Sequence, residues 1–382
     1  MGFVREWQAM RRFSSLSAEQ RKIVFYSEGP AYWVHFEPVI RHLLEDQDET
    51  VCYLSSGEDD PGLGLNHPRL LGFHIGESYV RTILFRSLQA TVMVMSMPDF
   101  QTFHIKRSSY PVHYVYLNHS MVSTHTTVRE GAFDHFDSFF CVGPHQAAEI
   151  RETERVYGSP AKNLVEHGFG RLDSILARVS KAPPPSGDRP CRVLVAPSWG
   201  PQGMFETPVG GEVIGNLLEA GLRVTMRPHP HTRNRTPHLV DMLAERFGDN
   251  ENFSFDGDIT SEQALHESDI MVSDWSGAAL EFAYGLERPV LFIDLPRKVI
   301  NPQWQRIDMP PKEVTIRDEI GEVLPLDRLD KAASYIRKMI DHREEYRRRI
   351  RESRERTIFN LGRSGAVGAR RIVEIANERF GH

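Results

Sequence analysis

The sequence is poor in cysteine and has no long apolar run. Its three cysteines, Cys52, Cys141 and Cys191, are an odd number without the spacing of zinc ligands, which argues against a disulfide framework. We therefore expect reduced thiols in a cytoplasmic protein. No segment reaches the roughly 20 apolar residues that a membrane-spanning helix needs, and the first residues lack the apolar region of a signal peptide.

An excess of positive charge and a recognisable metal-ligand cluster are also missing. The chain has 46 Lys and Arg against 52 Asp and Glu, a formal net charge of −6, which gives no reason to expect nucleic-acid binding. The acidic run 58–60 has no partner at a metal-ligand spacing. His229 and His231 would point to opposite sides of an extended segment and would not chelate one ion together. We expect neither a metal nor another cofactor.

Short apolar runs alternate with helical patterns along the chain, which is typical of α/β proteins with parallel sheets. The predicted strands are 23–26, 51–54, 91–95, 112–117, 139–142, 192–196, 222–226, 253–255, 270–272 and 290–293. Helices are predicted at 33–44, 145–154 and 365–380. A proline cluster predicts an exposed linker between two Rossmann-like halves. The predicted domains are an N-terminal amphipathic segment 1–20, a first domain 21–180, the linker 181–190, a second domain 191–360 and a C-terminal helical segment 361–382.

The segment 270–281 carries the most informative pattern. The apolar run 270–272 has the length of a strand, and the small residues 276–279 can begin a helix with little side-chain bulk. The first N–H groups of a helix lack partners within it and lie at the positive end of its dipole, so a phosphate can bind there. An ordinary strand-to-helix turn explains the segment equally well.

Two other predicted strand ends carry a histidine. After the run 222–225, Arg227 and His229 each precede a proline, which holds such residues in extended conformations. His119 follows the apolar run 112–117. A lone histidine is more often structural than catalytic, but the carboxyl ends of parallel strands are where α/β sheets bind ligands.

Five short motifs occur in an order and spacing that resemble one family. They are Asn118-His119-Ser120, Gly168-Phe169-Gly170-Arg171-Leu172-Asp173, Ala196-Pro197-Ser198-Trp199, Arg227-Pro228-His229-Pro230 and Ser273-Asp274-Trp275-Ser276-Gly277. Across about residues 112–294 the sequence resembles the CDP-glycerol glycerophosphotransferases of teichoic acid and capsule polymer synthesis. Ser120, Gly170 and Gly277 replace a glycine, a proline and a serine of the family pattern.

The resemblance implies an α/β protein of the GT-B class, in which two Rossmann-like domains face each other across a cleft. It implies transfer of a phosphopolyol, with glycerol phosphate as the first choice, from a CDP-linked donor to a hydroxyl of a lipid-linked or polymer acceptor. The C-terminal helix would pack back on the first domain, as in other GT-B proteins. The oligomeric state is left open.

The motifs also suggest roles for single residues. We expect His119 to act as general base on the acceptor hydroxyl, because imidazole titrates near neutral pH. A cation-capable His229 and Arg227 would stabilise the donor pyrophosphate, and the resemblance supports both histidines. Further donor-binding residues are expected among Ser198, Ser273, Asp274, Ser276, Gly277, Ala278 and Glu281. Glu281 would accept from the ribose hydroxyls unless it is a solvated helix carboxylate, and Asp274 would orient its turn, as a purely structural aspartate also would.

Two other functions fit the same pattern. A nucleotide-sugar glycosyltransferase or a UDP-sugar 2-epimerase would share the GT-B fold and a similar phosphate site. A non-catalytic nucleotide- or lipid-binding module of this fold is permitted by the departures at Ser120 and Gly277. Titratable groups in both halves favour an enzyme.

The N-terminal segment leaves two interpretations open. Phe3, Trp7, Met10 and Phe13 recur near helical spacing with arginines between them, a pattern suited to a peripheral contact at the inner face of the cell membrane. Alternatively, the helix docks its apolar stripe on the protein itself. Residues 343–356 mix arginines with glutamates, which predicts a solvated helix with ion pairs.

Overall fold

The chain divides into two compact units, and the computed structural model describes residues 2–102, 105–180, 189–258 and 263–380. The first unit contains Met1–Ser174, Ile300–Met309 and Thr357–His382. The second contains Ile175–Val299 and Pro310–Arg356. Most of the predicted linker, residues 181–188, lies outside the described residues. The return of Ile300–Met309 to the first unit was not predicted from the sequence.

The first unit is built on a seven-stranded sheet with the order β3-β2-β1-β4-β5-β6-β7 and parallel pairing between neighbours. Its strands are β1 Ile23–Ser27, β2 Val51–Ser55, β3 Leu70–His74, β4 Val92–Met95, β5 His113–Leu117, β6 Ser138–Cys141 and β7 Asn163–Glu166. In β1, Ile23 and Phe25 pack on one face while Val24 and Tyr26 pack on the other, because successive side chains alternate along a strand. A central strand buried on both faces explains the continuous apolar run.

The second unit has a six-stranded parallel sheet with the order β10-β9-β8-β11-β12-β13. Its strands are β8 Arg192–Val195, β9 Arg223–Met226, β10 Phe253–Phe255, β11 Ile270–Ser273, β12 Val290–Ile293 and β13 Gly321–Leu324. Counted within the unit, this is the strand order 3-2-1-4-5-6 of the doubly wound Rossmann fold. The predicted fold of each half is confirmed.

Helices connect successive strands in both units. In the first unit they are α1 Gly2–Ser14, α2 Trp33–Glu45, α3 Pro61–Gly64, α4 Tyr79–Arg86, α5 Thr124–Thr127 and α6 Pro144–Tyr157. The helix α7 Gly170–Val179 runs across the boundary between the units. In the second unit they are α8 Val209–Glu219, α9 Pro230–Arg235, α10 Pro237–Phe247, α11 Gln263–Glu267, α12 Gly277–Leu286, α13 Lys312–Thr315, α14 Arg317–Ile320, α15 Ala332–Asp341 and α16 Arg343–Thr357. The last helix is α17 Ser364–Arg379, and single 3-10 segments cover Pro30–Tyr32, Trp304–Arg306 and Leu326–Lys331.

The ten predicted strands are present with end shifts of one residue, but β3, β7 and β13 were missed. The edge strand β7 buries one of its residues, Val165, so its sequence lacks the apolar run of a central strand. The strand β13 begins at Gly321, where a Cβ atom would lie 1.7 Å from the Val290 carbonyl oxygen. Glycine is required there by the close approach of β12, yet glycine in a sequence argues against a strand.

The C-terminal helix α17 packs on α2 within the first unit. Ile372, Ile375 and Ala376 are buried in this contact. A Cβ atom at Gly365 would lie 2.7 Å from the Pro38 carbonyl oxygen, so glycine permits the close approach of the two helices.

The N-terminal helix α1 docks on the first unit through its later turns. Phe13 is 2% exposed and meets the Phe73 ring edge-on, with ring centres 5.6 Å apart. Glu6 is buried and accepts a hydrogen bond from the Ser78 hydroxyl. At the start of the helix, Phe3 is 53% and Val4 60% exposed. The docking interpretation therefore describes most of α1, and its first turn leaves apolar side chains in solvent.

In the described part of the chain, none of the helices combines the length and the apolar character needed to cross a membrane.

The docking of α1 predicts unequal effects of two phenylalanine substitutions on the same helix. Phe13→Ala removes a buried ring and should lower the free energy of unfolding by about 3 kcal/mol or more, because the cavity cannot fully collapse. Phe3→Ala, the matched control, should change it by about 0.5–1 kcal/mol or less. Urea unfolding followed by circular dichroism measures both values. Equal values for the two variants would mean that α1 is not packed as described.

Candidate active site

The sheet of the second unit has its topological switch point between β8 and β11. These strands are neighbours, but the chain leaves them in opposite directions along the sheet, which is where doubly wound sheets bind ligands. The Ser198 N–H after β8 donates to Oδ1 of Asp274 after β11 at 2.6 Å. The Ser273 hydroxyl donates to the Ala196 carbonyl at 2.8 Å. These two bonds hold both loops together at the switch point.

Three predicted donor-binding residues are thus engaged with each other or with the backbone. Ser198, Ser273 and Asp274 are 8%, 0% and 2% exposed. Burial raises the pKa of Asp274, and the hydrogen bonds from Ser198 oppose that change. The local geometry gives these residues a supporting part in the site, while direct contact with a donor stays a prediction.

The predicted helix start is present, since α12 begins at Gly277 with Ser276 as its N-cap residue. The Ser276 hydroxyl accepts the Ala278 N–H at 3.3 Å, and the Ser276 carbonyl accepts the Ala279 N–H at 3.1 Å. Two of the N–H groups that we expected to be unpaired therefore have partners within the turn. A phosphate at this helix start would have to displace the serine hydroxyl or bind beside it. Glu281 lies farther along α12 and is half-buried.

His229 is neutral in this structure, in contrast to the cation-capable side chain that we expected. It is the N-cap residue of α9, and its Nδ1 accepts the His231 N–H at 3.1 Å. Burial lowers the pKa of His229 to about 3, with smaller contributions from the nearby His231 and Lys298. Because Nδ1 is the acceptor, the ring proton of the neutral form is on Nε2. His229 can therefore offer a phosphate an uncharged N–H donor.

Arg227 forms an ion pair rather than standing alone at its strand end. Its Nη1 lies 3.2 Å from Oδ2 of Asp256, which follows the neighbouring strand β10. The two side chains are 17% and 14% exposed. Part of the positive charge that we expected to bind a phosphate is thus already neutralised by a carboxylate.

Sequence reasoning missed a basic cluster around Trp199, the residue after Ser198. Lys298 Nζ lies 3.5 Å from the centre of the Trp199 ring, and the Arg235 guanidinium carbon lies 4.6 Å from it. The His231 and His229 rings lie 4.5 and 6.1 Å from the same ring, centre to centre. We call Trp199, His231, Arg235 and Lys298 the Trp199 cluster.

The members of the Trp199 cluster come from three loops at the carboxyl edge of one sheet. Trp199 follows β8, His231 and Arg235 lie in α9 after β9, and Lys298 follows β12. The rule that ligands bind at strand ends could have indicated Lys298, since the strand 290–293 was predicted. The sequence shows no motif around Lys298 that separates it from the neighbouring Arg297.

In the first unit His119 lies in a group of aromatic and titratable side chains after β5. Its Nδ1 is 3.3 Å from the Tyr116 hydroxyl oxygen, and its ring lies 5.7 Å from Tyr32 and 5.9 Å from His35, centre to centre. Burial lowers the pKa of His119 to about 4, and a hydrogen bond with the Ser96 backbone opposes that change. His119 is therefore neutral near pH 7 and able to accept a proton.

A second set of residues that the sequence analysis did not single out lies at the end of β1 and in α4. Burial raises the pKa of Glu28, while a hydrogen bond with Tyr32 and the Arg81 charge oppose that change. Arg81 donates to the Tyr26 hydroxyl at 3.2 Å. These residues are linked to His119 through Tyr32, whose ring contacts the His119 ring.

Within the described ranges, no three His, Cys, Asp or Glu side chains are grouped so that they could hold a metal ion.

Residues 116–298 match the family model described as CDP-glycerol:poly(glycerophosphate) glycerophosphotransferase. No curated protein sequence matches the chain. The matched segment contains His119, the Trp199 cluster and the switch-point turn.

Among solved structures, the chain is similar to the wall teichoic acid polymerase TagF, with a TM-score of 0.62 and 13% identity over 99% of this chain and 95% of that one. It is also similar to UDP-GlcNAc 2-epimerases. The enzyme of Methanocaldococcus jannaschii, with UDP-GlcNAc and UDP, has a TM-score of 0.56 and 13% identity over 94% of this chain and 99% of that one. The enzyme of Neisseria meningitidis, bound to UDP-GlcNAc, has a TM-score of 0.57 and 12% identity over 92% and 99%.

At such identities these neighbours establish the GT-B fold, which was predicted, and the family match indicates a glycerophosphotransferase-like enzyme. The resemblance noted in the sequence is thus confirmed: residues 116–298 match the model of the CDP-glycerol glycerophosphotransferase family.

Proposed function

We propose that the chain transfers glycerol phosphate from CDP-glycerol to a hydroxyl of a lipid-linked or polymer acceptor, in the synthesis of a cell-surface polymer such as a teichoic acid or a capsule. The observation that carries the proposal is the family match over residues 116–298, which includes both candidate histidines. The epimerases share the fold at 12–13% identity, which does not favour their reaction for this chain. Titratable side chains at strand ends of both units argue against a non-catalytic module.

In this reaction the acceptor oxygen bonds to the donor phosphorus that carries the glycerol. The bond from that phosphorus to the bridging oxygen breaks, and CMP leaves with the bridging oxygen and the electron pair. The acceptor proton passes to the neutral ring of His119 and then to solvent. His229 would donate its Nε2 proton in a hydrogen bond to the leaving phosphate, where negative charge develops. Arg227, Ser276, Gly277 and Ala278 would contact the donor phosphates, and Glu281 its ribose.

A neutral His229 suits this role because its hydrogen bond to the phosphate becomes stronger as the phosphate gains negative charge. Before the reaction, the neutral ring needs no counterion in its half-buried position. During the reaction, its N–H group lies against the growing negative charge. An adjacent dianion would also raise the pKa of the ring from about 3, because a nearby opposite charge favours the protonated form.

The proposed role of His229 in the reaction can be tested separately from its role as helix cap. His229→Asn keeps an acceptor for the His231 N–H, since asparagine is a favourable N-cap residue, but it has no atom at the position of Nε2. We expect turnover of CDP-glycerol to fall by about a hundredfold or more, as loss of one charge-stabilising donor commonly causes, with an unchanged melting temperature. Turnover within a factor of about three of wild type, in steady-state assays of CMP release, would remove His229 from the reaction.

Substitution of His119 should have a different effect. His119→Ala should abolish transfer while the affinity for CMP, measured by calorimetry, stays within about twofold of wild type, because a general base acts in the transition state. Since the pKa of the His119 ring is about 4, wild-type kcat/KM should not fall as the pH is lowered from about 7 to 5.5. A His119→Ala variant that loses CMP affinity would contradict the assignment, and so would a wild-type acid limb near pH 6.5.

We further propose that the enzyme is cytoplasmic and touches the inner face of the cell membrane through the first turn of α1. Phe3 and Val4 are exposed there, and Arg5, Arg11 and Arg12 are exposed along the same helix. Exposed apolar side chains flanked by cations favour an anionic lipid surface. Such contact would bring the enzyme to a lipid-linked acceptor.

This contact can be tested without unfolding α1. The double variant Phe3→Ser, Val4→Ser should lower co-sedimentation with phosphatidylglycerol vesicles by about tenfold, because two apolar groups no longer enter the interface. Met242→Ser removes a side chain of similar exposure, 54%, from the second unit and should have no effect. Unchanged sedimentation of the double variant would exclude this turn as the membrane contact.

A further inference from the structure

We propose that Lys298, held on the Trp199 ring, is a charged ligand of the donor diphosphate and that Trp199 is its positioning residue. The inference rests on the proposed function, because it assigns a residue to the donor of that reaction. The sequence analysis did not single out Lys298, and it named Trp199 only as the last residue of a motif.

The Trp199 cluster places two cations on one aromatic ring. The Lys298 ammonium lies 3.5 Å from the centre of the indole ring, within the range of a cation–π interaction. Arg235 lies against the same ring at 4.6 Å. One aromatic side chain therefore fixes two cations that come from different loops, although like charges would otherwise separate.

Lys298 lies among both acidic and basic groups. The acidic groups that face it are Asp274 and Glu206, and the basic ones are Arg235, His231 and His229. Asp274 Oδ1 accepts from the Ser198 N–H, and Glu206 Oε1 accepts from the Thr232 hydroxyl at 2.6 Å. No carboxylate of the described residues lies within the 4 Å of an ion pair with Lys298, so these acidic groups compensate its charge at a distance.

Arg227 provides a contrast within the same unit. Its guanidinium meets the Asp256 carboxylate at 3.2 Å, so an incoming phosphate finds that charge already paired. The Lys298 ammonium is partly desolvated, and it lies against the π-electron quadrupole of the Trp199 ring instead of against an anion. A half-buried ammonium in such surroundings gains most from a dianion, because neither partner has to leave another ion pair.

The position of Lys298 agrees with this part. Its loop follows β12, the strand next to β11, and the Lys298 charge interacts with Asp274 at the switch point. When the bond to the bridging oxygen breaks, CMP becomes a dianion, and a nearby ammonium stabilises that charge. Burial also lowers the pKa of Lys298 to about 8, with Arg235 acting in the same direction, while Asp274 and Glu206 oppose the change. Lys298 is thus largely protonated at pH 7 and largely neutral at pH 9.

The experiment is calorimetric titration of the full chain with CMP at pH 7 and pH 9. Wild type should bind CMP about ten times more weakly at pH 9, because the ammonium has lost its proton. Lys298→Arg stays charged at both values and should bind with nearly the same affinity at each. Lys298→Met should bind about ten to a hundred times more weakly than wild type at pH 7 and show no such loss at pH 9.

Two further variants test the arrangement itself. Trp199→Leu should weaken CMP binding at pH 7 and move the pH dependence, because the ammonium is no longer held in place, whereas a residue that only filled space would leave the pH dependence unchanged. Lys331→Met removes an exposed lysine of the second unit, with 61% of its side chain in solvent, and should behave as wild type. Melting temperatures confirm that each variant is folded.

The outcomes separate this inference from the proposed function. Wild-type transfer from CDP-glycerol together with unchanged CMP binding by Lys298→Met would overturn the part of Lys298 and leave the function standing. A wild-type protein that binds UMP but neither CMP nor CDP-glycerol would overturn the proposed function. Loss of UMP affinity in Lys298→Met would then still support Lys298 as a phosphate ligand.

Discussion

The hydrogen bond from the Ser198 N–H to the Asp274 carboxylate is the contact on which the second unit's site depends. It spans the switch point of the sheet, where the connections after β8 and β11 diverge. A buried carboxylate oxygen is costly unless it accepts a hydrogen bond, and the Ser198 N–H supplies that bond to Oδ1, so the two loops gain from staying together. The bond thereby helps to position the loop that carries Trp199 and the turn that precedes α12. Any ligand at this edge binds between segments that are already positioned.

Burial decides the charge of both candidate histidines. The sequence suggested imidazoles that titrate near neutral pH, but desolvation lowers the pKa of His119 to about 4 and that of His229 to about 3. Each ring is then neutral and acts through one lone pair and one N–H group. For His119 this is the form that a base requires. For His229, the proposed contact with the donor phosphate would then be a hydrogen bond instead of the expected ion pair, and it would strengthen as negative charge develops on the phosphate.

Sequence patterns predicted the buried strands well and the contacts of charged residues poorly. β1, β4 and β12 were predicted because strands buried on both faces are continuous apolar runs. The edge strand β7 and the glycine-initiated β13 have no such run. The start of α12 was predicted from its small residues, but the capping of Ala278 by Ser276 competes for the N–H group that we assigned to a phosphate. Such competition depends on side-chain rotamers, which a pattern does not specify.

The same limit explains why Arg227 was singled out and Lys298 was not. An arginine between an apolar run and a proline forms a pattern that can be recognised in a sequence. Its partner Asp256 follows a different strand and becomes a neighbour only when β9 and β10 pair. Lys298 has no distinctive sequence context, and its contact is with an indole about a hundred residues earlier in the chain. A charge that already has a counterion holds a loop in place, whereas a charge held on an aromatic ring stays available to an anion. The distinction between Arg227 and Lys298 is therefore a property of the folded sheet edge, where each side chain meets its partner only after the strands have paired.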